Sequence, residues 1–313
     1  MSPCKSEGKT IDTDVGEEHA CHGPFESASS RPPDSDADTV SEPRPERTAS
    51  AHFATSDSLS AYWRFYWAVA DAQLARWLPQ EPGRILDLSG PDFRGAPRAI
   101  ADGHDVVTLL GSLDLPPRRP LTLVNGRVPA ARRRSPGRLH PVVGDTTFLS
   151  GFADGAFDGV VADNRVLSRH LATEASLGEI ARVLRPGGRL LLCVDSVVLG
   201  MALLAEQDRW PELSFAPSAD VLLVPWPDGS ITRCFTAEQV AEGVGDVGLE
   251  LDWVRPRTVL SASTVEMMLA RDPQALGRLV EMELHAGESD DYVGVHLLAS
   301  ARKPVAGSLP RQR

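Results

Sequence analysis

Residues 141–196 constrain the fold of this chain more than any other stretch. They hold three short apolar runs, at 141–143, 157–162 and 189–194, each rich in Val and Leu and bounded by Gly, Asp or Pro. Runs of that kind read as strands buried on both faces. Between the second and third runs, residues 172–184 place Leu177, Ile180, Ala181 and Leu184 at helical spacing. Arg185-Pro186-Gly187-Gly188 follows. Proline cannot continue a helix, and the glycines supply the positive φ of a sharp turn. Strand, helix, turn, strand is a βαβ unit, which predicts a largely parallel sheet.

A chain of 313 residues with 42% hydrophobic content can build one sizeable α/β domain with additions. A net charge of -11 argues against a general binder of nucleic acid or anionic membrane, because phosphate binding needs basic surface. No apolar run approaches the ~20 residues that span a bilayer. Residues 1–15 lack a basic segment followed by an apolar core, so no secretory signal is expected. Cys4, Cys21, Cys193 and Cys234 are too scattered for a disulfide framework or a zinc knuckle. His19, Cys21 and His22 have no further ligand spaced to complete a metal site. The expectation is a cytoplasmic protein without a metal.

Composition divides the chain. Residues 1–55 are rich in Ser, Glu, Asp and Pro and poor in large apolar residues, which predicts a disordered acidic tail. Residues 56–303 form the predicted α/β domain, and 304–313 a loose end. Residues 56–78 read as an aromatic helix, capped by Ser56 or Asp57 and ended by Pro79. Tyr62, Tyr66 and Val69 make one stripe on it; Trp63, Trp67, Ala70 and Leu74 make its neighbour. Further strands are expected at 84–89, 104–110, 249–260 and 292–302. Helices are expected at 198–209, 237–244 and 264–285, the last an insertion. Residues 210–233, with Trp226 and several prolines, read as another insertion near the functional face. The prolines of 112–139 argue against a helix there, and Arg132-Arg133-Arg134 is either a solvated loop or a clamp for an anion.

The order Gly144-Asp145, Phe157-Asp158, then Glu179-Ile180-Ala181-Arg182-Val183-Leu184-Arg185-Pro186-Gly187-Gly188 resembles the middle of a class I S-adenosylmethionine-dependent methyltransferase. Phe235-Thr236-Ala237-Glu238-Gln239 resembles a segment that precedes the last helix in that family. The resemblance covers about residues 83–303. It implies a Rossmann-like, seven-stranded, mostly parallel sheet with helices on both faces and an antiparallel last strand pair.

The same resemblance assigns the site. Asp87 matches the acidic position after the first strand, while the three glycine positions of the cofactor loop carry Ser89, Pro91 and Phe93. Ser89 and Gly90 would then bind cofactor through their backbone. The second strand ends Leu109-Leu110-Gly111, without the family's ribose-binding acid. Asp145 would accept a hydrogen bond from the adenine amino group, with Thr146 or Thr147 lining the adenine. Strand ends are where parallel sheets bind ligands, so Asp163 is placed against the cofactor and Asn164 against the acceptor. Tyr62, Tyr66 and Trp226 are candidate pocket residues under a lid formed by the aromatic helix. His170 is the candidate base, since its ordinary pKa is near neutral. Asp195 is a further residue at the mouth. The implied activity is methyl transfer from S-adenosylmethionine to O or N of a small molecule or a peptide terminus, in natural-product metabolism. The alternative, motivated by the altered loop, is a protein of the same fold that no longer transfers methyl groups and serves as a scaffold, binds a partner or reuses the pocket for other chemistry.

Overall fold

The structure is a computed structural model and describes residues 61–90, 95–111, 136–226, 228–286 and 294–305. The tail expected over 1–55, the helix cap at Ser56 or Asp57, Pro91 and Phe93 of the cofactor loop, the Arg132–Arg134 run and most of 304–313 lie outside these residues.

Five parallel strands form the centre: β1 (Arg84–Asp87), β2 (Asp105–Leu110), β3 (Leu139–Val143), β4 (Phe157–Ala162) and β5 (Leu184–Ser196). Their order is β3-β2-β1-β4-β5. β9 (His296–Arg302) adds antiparallel to β5, and β8 (Glu250–Pro256) antiparallel to β9. These seven strands are the expected set, and the last pair is antiparallel as expected. Two more come from the expected 210–233 insertion and the two residues after it. β6 (Leu222–Pro225) and β7 (Ile231–Phe235) make a hairpin, and β7 runs parallel to the last two residues of β5.

Alternation along the strands supplies two cores. Leu86, Val160, Leu190 and Leu192 face one way, against Leu177 and Ile180 of α3 (Thr173–Val183) and Val240 and Val244 of α6 (Ala237–Asp246). Ile85, Val161, Leu191 and Cys193 face the other way, against Leu74 and Trp77 of α1 (Ala61–Trp77) and Ala96 and Ala99 of α2 (Ala96–Ala101). Gly159 permits this second packing: a Cβ there would stand 2.9 Å from Ile85 and 3.1 Å from the Trp77 ring. α4 (Val197–Glu206) packs on the hairpin, next to the short α5 (Trp210–Phe215).

Three expectations need correction. Residues 264–285 are two helices, α7 (Ala262–Arg271) and α8 (Leu276–Ala286). Pro273 offers no N–H, and the Asp272 side chain accepts from the Gln274 N–H, which starts a new turn. The predicted turn at Arg185–Gly188 is the irregular start of β5 itself, with a register shift opposite β4 between Phe157 and Gly159. Lys303 bonds to the backbone of Gly187 and Gly188, and Gly187 takes the positive φ expected of it, 78°. Lastly, β3 is not buried on both faces. It ends the sheet, and Val142 and Val143 are exposed.

Candidate functional site

The parallel strands end on one edge, and carboxylates stand at three adjacent ends: Asp87 after β1, Asp163 after β4 and Asp195 near the end of β5. All three are buried. Charges out of water need partners, so what each carboxylate meets defines the chemistry of the site.

Asp163 is fully engaged. Arg257, just beyond β8 and 0% exposed, donates to both of its oxygens at 2.7 and 3.0 Å. The Asn164 N–H adds a bond of 2.6 Å. Burial works against the Arg257 charge, but the Asp163 carboxylate more than offsets it and holds the guanidinium protonated. The same guanidinium lies 5.6 Å from the centre of the Tyr66 ring, within cation–π range.

Asn164 and Arg165 both have positive φ, 56° and 60°. Two consecutive non-glycine residues in the left-handed region cost energy and are held there by their surroundings. Asn164 is fixed by its side-chain amide, which donates to the Ser89 carbonyl at 3.3 Å. The Ser89 Oγ in turn accepts from the Asp163 N–H at 3.3 Å. Arg165 reaches across to Asp195 at 3.5 Å and lies over the Trp226 ring at 5.4 Å. The tips of β1, β4 and β5 are thereby stitched together, with Trp226 of the insertion at their side.

Asp87 differs. One oxygen accepts from the Ser89 N–H at 2.9 Å; the other, Oδ2, is buried with no hydrogen-bond partner. Burial pushes its pKa up to about 6, against the lowering effect of Ser89. Gly90 follows with φ +97°, and the space a Cβ would take there is open. A buried carboxylate oxygen without a partner, next to an open glycine, is the acceptor a cationic ligand group requires.

Asp195 accepts from Thr232 Oγ1 of β7 at 2.5 Å and lies 3.4 Å from His296 Nε2 of β9. Burial raises its pKa, but His296 and Arg165 outweigh that and bring it below the ordinary carboxylate value. Tyr66 of α1 completes this group, 3.2 Å from His296 Nδ1. α1 is the roof over these tips. Its Tyr62 hydroxyl lies 3.3 Å from Thr258 Oγ1, and its Tyr62 N–H donates to Glu266 of α7 at 2.9 Å. Glu283 of α8 accepts from the Val259 and Leu260 N–H groups at 2.5 and 3.2 Å, holding the roof's far side.

The remaining sequence candidates lie apart from this group. Asp145 is exposed beyond β3, where Thr147 gives it two hydrogen bonds that lower its pKa. His170 is half-buried, with Nε2 3.0 Å from Thr146 Oγ1 and Nδ1 3.2 Å from Ser176 Oγ. Burial lowers its pKa. Thus Asp87, Ser89, Asp163, Asn164 and Tyr66 come together, Tyr62 and Trp226 flank them, and Asp145, Thr146 and His170 form a second group. Arg257 and His296 were not legible in the sequence. Arg257 stands in Arg255-Pro256-Arg257, which reads as the solvated end of a strand, and His296 opens an otherwise apolar run.

A family profile described as "Methyltransferase domain" matches residues 121–192. A demethylmenaquinone methyltransferase of Beutenbergia cavernae is 38% identical over 141 residues, covering 44% of this chain and 50% of the relative. The chain thus matches about half the length of that relative. Among solved structures, an S-adenosylmethionine-dependent methyltransferase from Listeria monocytogenes aligns with a TM-score of 0.50 at 15% identity, over 75% of this chain and 98% of its own. A 1,6-didemethyltoxoflavin-N1-methyltransferase of Burkholderia thailandensis, solved with S-adenosylhomocysteine, aligns with a TM-score of 0.45 at 19% identity, over 78% and 79%.

Proposed function

From the premise that this chain belongs to the class I S-adenosylmethionine-dependent methyltransferase family, we propose that it transfers a methyl group from S-adenosylmethionine to O or N of a small molecule or peptide terminus. The observation that carries this reading is the unpartnered Oδ2 of Asp87 beside the open Gly90. S-adenosylmethionine brings an ammonium and a sulfonium, and its sulfonium is what makes the methyl group transferable. Asp87 would hold the ammonium by a charge-assisted hydrogen bond. Asp145 and Thr146 would take the adenine end, Ser89 and Asp163 would shape the loop between, and Asn164, Tyr62, Tyr66 and Trp226 would bound the acceptor. The chain's own work is to align acceptor and methyl, exclude water and receive a proton.

Isothermal calorimetry tests the binding half. S-adenosylmethionine and S-adenosylhomocysteine should both bind, and Asp145→Ala should weaken binding by about 1–3 kcal/mol, the worth of one hydrogen bond to a charged group. Release of S-adenosylhomocysteine from a panel of amines, phenols, a peptide amine and a demethylmenaquinone analogue tests the transfer half. The quinone analogue probes carbon as acceptor, prompted by the Beutenbergia relative.

A second reading, a scaffold of the same fold, has its own support. The Ser89 carbonyl is taken by Asn164, and Asp163 is spent on Arg257. Both groups lie where a cofactor would otherwise find partners. Absence of any thermal shift with either adenosyl compound at excess ligand would favour it.

A further inference from the structure

Tyr66, His296 and Asp195 come from α1, β9 and β5 and meet at the sheet edge beside the Asp163–Arg257 pair. What each group can do orders the protons among them. An ionised carboxylate repels a lone pair, so the imidazole proton belongs on Nε2, which stands 3.4 Å from Asp195 Oδ1 by proximity rather than in hydrogen-bond geometry. Nδ1 then carries the lone pair, and Tyr66 donates its hydroxyl proton to it across 3.2 Å. The phenol oxygen keeps accepting capacity that no described residue uses. His170, by contrast, has both ring nitrogens engaged with hydroxyls next to Asp145.

We propose that Tyr66, His296 and Asp195 are the relay that takes the acceptor's proton, with Tyr66 touching the nucleophile and His296 and Asp195 as positioning residues behind it. The proposal rests on the methyl-transfer reading above. As the acceptor's oxygen or nitrogen bonds to the methyl carbon, the carbon–sulfur bond breaks and its electron pair stays on sulfur. The acceptor's proton passes to Tyr66 Oη, the phenol's own proton passes to His296 Nδ1, and the imidazolium faces the Asp195 carboxylate. No further reactant is needed.

The groups facing the imidazole are Tyr66 from α1, Asp195 from β5, Arg165 from the segment after β4 and Arg257 from the segment after β8. Burial and the two guanidiniums hold its pKa below the ordinary value against the pull of Asp195, so it is neutral and able to accept. Tyr66 is 2% exposed, and the Tyr62–Thr258 and Tyr62–Glu266 bonds tie the roof across it. Entry of an acceptor parts α1 from those partners.

Long-range nitrogen NMR of the full chain, labelled at histidine, reads the tautomer directly. His296 should carry its proton on Nε2 near neutral pH, and Tyr66→Phe should move the Nδ1 resonance. A proton on Nδ1, or no response to Tyr66→Phe, overturns the relay whether or not an acceptor is known. With an acceptor from the panel, Tyr66→Phe should lower kcat by about 10²–10⁴-fold, the range of a lost acid–base group. Its KM for S-adenosylmethionine should stay within about twofold, since uniform binding is untouched. The wild-type rate should fall on an acid limb lying below the ordinary imidazole pKa of about 6.5, and His296→Gln should abolish that limb. An unchanged kcat in Tyr66→Phe overturns the relay, and that variant keeps the ring's packing if His296→Gln fails to fold. Loss of S-adenosylmethionine binding in the wild type would sink the methyl-transfer reading; a wrong tautomer with binding intact sinks the relay alone.

Discussion

At the scale of single residues, two buried carboxylates differ in what they meet. Asp87 is ionised at neutral pH in a site that disfavours its charge. Its pKa is raised, so the folded protein binds the proton more tightly than the unfolded chain does. This group therefore stabilises the fold less as pH rises from about 4 to about 6, and costs about 3 kcal/mol above that window. Asp87→Asn should raise the melting temperature at pH 7 while weakening S-adenosylmethionine binding about 10-fold or more, as for a lost charged hydrogen bond. Scanning calorimetry and titration calorimetry on the one variant check both signs. Asp163 is instead held by a partner. Arg257→Leu leaves its carboxylate buried without the guanidinium, and should cost about 3–5 kcal/mol in urea unfolding. Arg257→Lys should recover only part of that, because an ammonium cannot donate to both oxygens in the fork geometry of Arg. Asp163 and Asn164 were legible because strand ends in a parallel sheet gather ligands, and Asp87 through the family resemblance of its loop. Their partner Arg257 was not, because an arginine beside a proline near a strand end gives no local sign of burial.

At the scale of elements, capping and periodicity carried most of the reading. Thr236 and Gln239 form a reciprocal cap at the start of α6. Thr236→Ala should cost about 1 kcal/mol by denaturant unfolding. The α7–α8 break was missed for a physical reason. Val265, Met268 and Leu269 before it and Leu276, Leu279 and Val280 after it keep helical spacing, which concealed the effect of Pro273. The break matters to the site, since α8 starts afresh and brings Glu283 under Val259 and Leu260. Burial raises the Glu283 pKa. Glu283→Ala should leave two N–H groups without their acceptor and loosen the segment that carries Arg257 and Thr258. Faster amide exchange at Val259 and Leu260, with α3 and α6 unaffected, is the expected signature.

At the scale of the molecule, the parallel centre follows from the pattern of runs and turns, and the antiparallel closing pair and the helices on both faces from the family resemblance. The inserted hairpin did not, because a proline-rich stretch with Trp210 and Trp226 far apart carries no clear period. Among the described residues no helix is long and apolar enough to cross a membrane. The hairpin gives the sheet its least regular feature. β5 keeps β9 as neighbour from Arg189 to Asp195, yet takes β7 as well at Asp195 and Ser196. β7 takes the edge of β5 that β4 leaves after Leu192, and one carboxylate joins the neighbours on the two sides, bonded to Thr232 on one and beside His296 on the other. Asp195 is thus a rivet across β5. Asp195→Asn would leave each neighbour its own backbone ladder but loosen the joint, so amide protection should fall together in β6, β7 and the first residues of β9. A pull on the exposed side of the hairpin, where Leu223 and Ile231 face water, would then be felt at the imidazole.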